Sequence, residues 1–547
     1  MEYFDGGPIE RLGALPAMGA DRYGEKPAFA SFGRTLSYRE LDERADSVAG
    51  VLADHGVEPG DRVGLFVPNT NQFPPAYFGT IRAGAVAVPL NLRMDPETLV
   101  YVLDNAGADH VIASPLLADE ARDLAAAADV GTLFLPGVDE EGVVNYSHAL
   151  AEQSETFDRP ERDPGDVACQ PYTSGTTGDP KGVLLTHENL LSAIESYDKG
   201  GLSVDAEDSI VLVLPLFHIY ALNAIMGTYL YSGATMYLQP EPDGENMLRA
   251  LDDNDVTTMA GVPAMYTMMW RAYREEPDAY DLSSLRYVTC AAAPLADDVR
   301  RTIEEAWNVP MVEGWGMTET SPAGTLEPAH GVRKPAGCIG PVLPGMEIKL
   351  VDPETGATLL DTDQLQPFPD PDVDFDDESA VTGEIAVRGG SVFEGYYGLP
   401  ERTDQVFDET GYFHTGDIAR VDADGYLWMV DRADDMMIVG GENVYPAEVE
   451  NALYEHPSVA EAAVVAAPHE TKGEAPVAFV VPEADTELDA EALREFSLEH
   501  VASYAHPRRV FFVETLPRSA TQKVQRYRLA ERAGERIDGP LAPSERL

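Results

Sequence analysis

The stretch Tyr172-Thr-Ser-Gly-Thr-Thr-Gly-Asp-Pro-Lys-Gly182 decides how the rest of the chain is read. It follows an apolar approach and leads into an apolar run at 183–185 that reads as a strand. Gly175 and Gly178 permit tight backbone geometry and the close approach of a ligand. Successive N–H groups, with the hydroxyls of Thr173, Ser174, Thr176 and Thr177, can form a nest around phosphate oxygens, and Lys181 adds charge. The spacing is not that of a P-loop, because Gly175 and Gly178 stand too close together and Lys181 follows Asp179-Pro180. Read alone, the segment suits phosphate best, with a polar hairpin loop as the plain alternative.

Composition bounds what such a site can serve. The chain has 547 residues, 44% hydrophobic and 24% charged, which excludes a wholly disordered chain and allows several domain-sized units. With 38 Lys and Arg against 95 Asp and Glu, the net charge is −57. That field repels phosphate backbones and anionic lipid, so no nucleic-acid or membrane-surface role is expected, and an anionic substrate needs locally arranged donors. The acids are spread along the chain, with one denser run at 361–378. This favours a carboxylate-coated protein of a high-salt cytoplasm over an acidic interaction tail. Such a protein should lose structure when dialysed to low salt.

Cys169, Cys290 and Cys338 are odd in number and widely spaced, so neither a disulfide framework nor a zinc site follows, and a reducing, cytoplasmic setting fits. The opening Met1-Glu-Tyr-Phe-Asp5 has no basic start or apolar run of a signal peptide. Residues 209–240 contain no Asp, Glu, Lys or Arg, but Pro215, His218, Asn223, Gly227 and Gly233 interrupt them. They read as a strand at 210–214, a buried helix at 220–231 and a strand at 235–238, with no transmembrane segment.

Apolar runs at 62–67, 85–89, 110–113, 210–214 and 235–238 alternate with helical patterns such as 38–55 and 76–84. That alternation predicts an α/β fold: a large N-terminal domain of parallel, helix-covered sheets. Past Gly337 the runs shorten (347–351, 383–388, 419–421, 427–430), predicting a small β-rich subdomain in which 361–378 is a solvated insertion. From about Asp434 a small α+β C-terminal domain follows. Its elements are a Gly-Gly turn at Gly440 and Gly441, a helix at 446–456, strands at 459–466 and 476–481, a helix at 489–501 and a strand at 509–513. The expected domains are therefore 1–433 and 434–547.

The 172–182 segment resembles the phosphate-loop signature of the acyl-adenylate-forming (AMP-binding) superfamily, which includes acyl-CoA synthetases, adenylation domains and beetle luciferases. Further segments resemble its other signatures, in the family's order. In Gly314-Trp-Gly-Met-Thr-Glu319, Trp315 takes the place of the aromatic residue on adenine, Thr318 of a phosphate contact and Glu319 of the magnesium ligand. Trp315 replaces the usual Tyr, preserving a π-face and losing a hydroxyl. In Tyr412-Phe-His-Thr-Gly-Asp417, Asp417 matches the acceptor of both ribose hydroxyls, which suits a group with two acceptor oxygens. Arg432 matches the residue near ribose and phosphates, Asp434 the hinge of a mobile small domain, and Gly440 and Gly441 the pantetheine channel. Lys523 matches the catalytic lysine between carboxylate and α-phosphate, although Gln522 stands where Gly is usual. Leu214-Pro-Leu-Phe-His218 resembles the carboxylate and thioester gate, and His218 there disfavours an α-amino acid substrate. Ala291-Ala-Ala-Pro294, with Ala292, resembles the turn beside adenine, and Gly261-Val-Pro263 a wall near the acyl pocket.

The resemblance spans residues 33 to 523 and implies an AMP-forming acyl-CoA synthetase using ATP, Mg2+ and coenzyme A, with a homodimer left open. Its acid is expected to be a medium- or long-chain fatty acid. The alternatives are an aryl-CoA ligase, an adenylating enzyme that loads a carrier protein, a luciferase-type oxygenase, and a non-catalytic scaffold. The last would be expected to lack one of Lys181, Glu319, Asp417 or Lys523, and all four are present.

Overall fold

A computed structural model describes the chain apart from residues 1–8, 139, 141, 174–178, 294, 332, 354, 366–372, 433–434, 441, 484–485, 487, 519–523, 538, 540 and 542–547. Ser174, Gly175, Thr176, Thr177, Gly178, Asp434, Gly441 and Lys523 thus lie outside the described residues. The chain divides into two compact units. The first takes in Met1–Lys334, Ile339–Glu347 and Val387–Phe413, and the second Pro335–Cys338, Ile348–Ala386 and His414–Leu547.

The first unit is α/β. One sheet has, among the described residues, eight strands. Its central six run parallel in the order Met311–Trp315, Tyr287–Cys290, Thr258–Gly261, Ser209–Leu212, Thr235–Leu238, Pro27–Ser31. Each edge is closed by an antiparallel partner, Thr325–Leu326 and Arg34–Ser37. Every residue of Ser209–Leu212, Thr258–Gly261 and Tyr287–Cys290 is buried, as expected where helices cover both faces of a parallel sheet. The second sheet joins Val86–Pro89, Arg62–Phe66, His110–Ala113, Thr132–Leu135 and Val143–Asn145 in parallel. It then continues through Val167–Cys169 to the antiparallel Lys181–Thr186 and Gly395–Tyr396.

Local chemistry sets the helix boundaries. The predicted helix at 38–55 spans Tyr38–Asp54. Ser37 Oγ accepts from Glu40 N and Glu40 accepts in turn from Ser37 N, satisfying two first-turn donors. The helix predicted at 76–84 instead runs Phe73–Arg82, because Pro at its start needs no hydrogen-bond partner. The buried helix predicted at 220–231 is wound more widely than expected: Tyr220–Gly227 is a π-helix and only Thr228–Ser232 is α-helical. Buried Asn223 donates there to the carbonyls of Leu190 (3.0 Å) and Ser321 (2.6 Å). A Cβ on Gly227 would lie 2.6 Å from Ile194 Cδ1, so a larger residue would require the Ile194 side chain to shift. No described helix is long and apolar enough to cross a membrane.

The second unit is β-rich and then α+β. Phe413–Val421 pairs antiparallel with Leu427–Arg432, placing Asp417 opposite Arg432. In the 361–378 run, the described residues are mostly exposed as expected, although Leu365 in the short helix Thr362–Leu365 is buried. The last sheet pairs Val459–His469 with Gly473–Pro482 along their length, and Arg509–Phe512 adds in parallel. The sequence reading missed the helix Arg526–Arg536, which buries Leu529 and Ala533 against Phe479 and Leu516. Its apolar face is narrow, so periodicity does not stand out among six charged residues.

Candidate active site

In the first unit, Tyr172–Thr173 pairs with the strand Lys181–Thr186, so Lys181 faces Thr173 and Gly182 faces Tyr172. The ends of the glycine- and hydroxyl-rich stretch are therefore held side by side. A Cβ on Gly182 would lie 2.8 Å from Gln170 Nε2, so a larger residue after the lysine would have to displace the Gln170 amide. The same strand pairs on its other edge with Gly395–Tyr396, Val183 opposite Tyr396. Lys181 Nζ stands over the Tyr396 ring, 5.7 Å from its centroid. The Tyr396 hydroxyl donates to Glu319 Oε1 at 2.9 Å. Glu319 is buried on the single turn Thr318–Thr320, and its carbonyl accepts from Phe393 N at 2.8 Å. Three distant segments thus converge on a lysine, a phenol and a carboxylate.

The turn carrying Glu319 follows the strand Met311–Trp315, and backbone crowding dictates its glycines. A Cβ on Gly316 would lie 1.5 Å from the Pro322 carbonyl oxygen, and one on Gly324 2.5 Å from Trp315 Cε3. Met317 N donates to Thr320 Oγ1 at 3.1 Å, and Trp315 is buried. Behind this strand, buried Arg300 pairs with Glu313 at 2.9 Å and Glu327 at 3.0 Å and donates to the Met311 carbonyl. Ala292 adopts φ +68, a conformation a residue with a Cβ rarely takes, and Ala291 N donates to the Gly261 carbonyl at 3.3 Å. Such strain concentrates at functional sites.

At the expected gate, His218 Nδ1 accepts from Tyr220 N at 3.3 Å and its carbonyl accepts from Leu222 N at 2.9 Å. The Tyr220 hydroxyl meets Thr289 Oγ1 at 2.8 Å, and the Tyr266 hydroxyl donates to the Thr289 carbonyl at 2.7 Å. Burial raises both phenol pKa values, so the two groups stay neutral.

In the second unit, Asp417 Oδ1 forms an ion pair with Arg432 Nε at 3.2 Å, while Arg432 Nη2 donates to the Thr415 carbonyl. Thr415 Oγ1 accepts from Asp417 N at 3.1 Å and donates to the Ile385 carbonyl at 2.7 Å, so the carboxylate sits on a braced turn. Gly440, at φ +69, donates to the Lys472 carbonyl at 2.8 Å and closes the turn before Glu442–Val444. Asp431, which sequence reasoning passed over, accepts from Arg432 N and from Ala447 N, both at 2.8 Å. Burial pushes its carboxyl up to about 6, the nearby Arg526 guanidinium opposing the rise. Arg526 itself is bidentate to Glu450, at 2.7 and 2.8 Å.

Among the described residues, no group of three or more His, Cys, Asp or Glu could hold a metal ion. Glu319, a single buried carboxylate linked through Tyr396 to Lys181, suits a hard cation that keeps most of its coordination for phosphate oxygens. Mg2+ accompanying a nucleotide fits this donor set. Tyr396 was also missed, although a pair of aromatics after Gly395, in Gly395-Tyr-Tyr397, is the signal that could have flagged it.

Residues 17–397 match the family described as AMP-binding enzyme, and residues 448–523 its C-terminal domain. The chain is similar to 4-coumarate–CoA ligase 1 of Solanum tuberosum, 33% identical over 91% of this chain and 89% of that one. It is also similar to the long-chain-fatty-acid–CoA ligase of Bacillus subtilis (strain 168), 30% identical over 96% and 95%. Among solved structures, ATP-bound MatB from Rhodopseudomonas palustris superposes with a TM-score of 0.85 at 32% identity, covering 97% of this chain and 100% of that one.

Proposed function

The chain belongs to the AMP-binding enzyme family as an AMP-forming acyl- or aryl-CoA ligase, and from that premise we propose that its acid is a medium- or long-chain fatty acid. The observation that carries this reading is the internal pairing of hydroxyls near the gate. Tyr220, two residues after the expected gate residue His218, turns its phenol to Thr289 Oγ1 and so does not aim it at a substrate hydroxyl, and the buried Tyr266 phenol is likewise spent on the Thr289 carbonyl. A gate region whose polar tips are satisfied internally favours a hydrocarbon chain over an acid that needs a hydroxyl partner. Similarity to the potato ligase supports the second reading, an aryl acid lying flat against Tyr220.

The mechanism has two half-reactions. A carboxylate oxygen attacks the α-phosphate of ATP, forming the acyl–phosphate bond as pyrophosphate departs. Lys523 neutralises charge between the two reactants, and Thr173–Gly178 with Lys181 receive the departing phosphates. Glu319 is the residue that would hold Mg2+, which supplies charge neutralisation on the phosphates when bound. Trp315 and the Ala292 turn flank adenine, Thr318 contacts phosphate, and Asp417 and Arg432 take the ribose. The domain beginning at 434 then turns about Asp434, withdrawing Lys523 and presenting Gly440 and Gly441 to coenzyme A. The thiol attacks the acyl carbon past His218 and AMP leaves. The net charge of −57 supports work in a high-salt cytoplasm.

The test measures pyrophosphate release and thioester formation separately, with ATP, Mg2+ and fatty and aromatic acids in molar potassium chloride, beside Lys523→Ala. Pyrophosphate and thioester from fatty acids, with pyrophosphate release crippled in the variant, are expected. Turnover confined to aromatic acids refutes the chain preference, and adenylate without thioester points to carrier loading.

A further inference from the structure

We propose that Tyr396 is a positioning residue that ties the phosphate-loop lysine to the metal-binding carboxylate, setting the affinity of the site for the divalent cation. The inference rests on the reading of Glu319 as the Mg2+ ligand. Lys181 and Glu319 come from segments 138 positions apart, and Tyr396 touches both at once. Its hydroxyl donates to Glu319 Oε1 at 2.9 Å, and its ring lies under Lys181 Nζ at 5.7 Å.

The phenol is itself held on several sides. Tyr396 N donates to Thr403 Oγ1 at 3.0 Å, its strand pairs with Val183, and Phe393 meets its ring edge-on at 5.0 Å. Phe393 is in turn stacked on Phe407 at 5.6 Å, and its N–H bonds to the Glu319 carbonyl. Backbone and side chain of Glu319 are therefore both fixed from one short segment, 393–396.

This arrangement has a physical purpose. A lysine and a glutamate brought together in a low-dielectric site would otherwise collapse into an ion pair, removing the donor from phosphate and the acceptor from the cation. The aromatic face gives the ammonium a weaker, exchangeable place, worth far less than a carboxylate partner. The hydroxyl meanwhile orients the carboxylate while leaving its negative charge in place, since a phenol hydrogen bond neutralises nothing. One side chain thus holds two oppositely charged groups apart, the ammonium over its ring and the carboxylate on its hydroxyl, each placed for a different part of one metal–triphosphate.

The experiment reads metal binding directly. Mn2+ affinity is measured by electron paramagnetic resonance on the full chain with α,β-methylene-ATP, for the wild type, Tyr396→Phe, Glu319→Gln and the double variant. Tyr396→Phe keeps the ring under Lys181 and loses only the bond to Glu319. It should weaken Mn2+ about tenfold, the size expected for a hydrogen bond to a charged group. At saturating Mg2+, kcat should stay within about twofold of wild type, a split that general loosening of the fold would not produce. In the Glu319→Gln background the same change should add little, because the partner is gone. Tyr396→Leu, which removes the ring too, should in addition raise the KM for ATP through a misplaced Lys181. Unaltered Mn2+ affinity in Tyr396→Phe, with Glu319→Gln weakened, overturns the role of Tyr396 alone. Unaltered affinity in Glu319→Gln overturns the assignment of the metal ligand, and this inference with it. Thermal unfolding of each variant establishes folding, and if Tyr396→Phe is unfolded the comparison of Tyr396→Trp with Tyr396→Leu decides, equal Mn2+ affinities in those two counting against the proposal.

Discussion

Asp431 joins the strand Leu427–Arg432 to the helix Pro446–Tyr454 through its bond to Ala447 N, so its protonation acts on the segment that the proposed rotation must loosen. The perturbation is Asp431→Asn. Burial raises the carboxyl from its ordinary 3.8 to about 6, so the native chain holds this proton more tightly than the unfolded one. The resulting stability is present below about pH 4 and lost as pH rises through about 6. A difference of roughly two units at 1.36 kcal/mol each corresponds to about 3 kcal/mol, as an order of magnitude. Asparagine cannot ionise and retains one acceptor oxygen, so its cost at one of the two N–H donors is independent of pH. The assay is denaturant unfolding of both proteins between pH 4 and 7.5 in constant molar potassium chloride, taking the difference in unfolding free energy at each pH. The variant should gain on the wild type by up to about 3 kcal/mol as pH rises from 4 to 7. A difference flat with pH would refute the reasoning, because it would mean that the carboxyl ionises natively as easily as in water.

Gly316→Ala places a methyl against the Pro322 carbonyl, so the turn must open; activity should fall more than about tenfold with ATP KM raised, read by pyrophosphate release. Arg300→Ala leaves Glu313 and Glu327 buried without their shared cation, and should cost about 3–5 kcal/mol in denaturant unfolding. Asp417→Asn replaces an acceptor-only group on the expected ribose site; KM for ATP should rise about tenfold while dATP, lacking one hydroxyl, is affected less. Dialysis to low salt should lower the thermal midpoint by several degrees and restoration of salt should recover it, since 95 acids face 38 bases.

Elements with strong local signals were legible from the chain. The strands at 110–113 and 235–238 were read at the boundaries the structure has, because short apolar runs between breakers leave little choice. The helix opening at Tyr38 was equally readable from its apolar spacing, and the Ser37–Glu40 box fixes its start within four residues. The paired strands Val459–His469 and Gly473–Pro482 outran their apolar cores, since ladder hydrogen bonds continue to the tight turn whatever the side chains. The π-winding at Tyr220–Gly227 had no local signature, and buried Asn223 within it reaches two separate segments that only the fold brings near.

Candidate site residues divide the same way. Lys181, Trp315, Glu319, Asp417 and Arg432 were visible because each stands inside a short motif whose spacing is local, and covalent order preserves such spacing. Their mutual arrangement was not visible. That Asp417 faces Arg432 depends on strand register, and that Tyr396 meets both Lys181 and Glu319 depends on a two-residue edge strand pairing with one more than 200 positions earlier. A raised carboxyl at Asp431 is likewise a property of its burial rather than of its neighbours in sequence. Residue type and spacing decide which chemistry is on offer; distance, desolvation and crowding arise only when remote segments are brought together, and they decide how each group is held and charged.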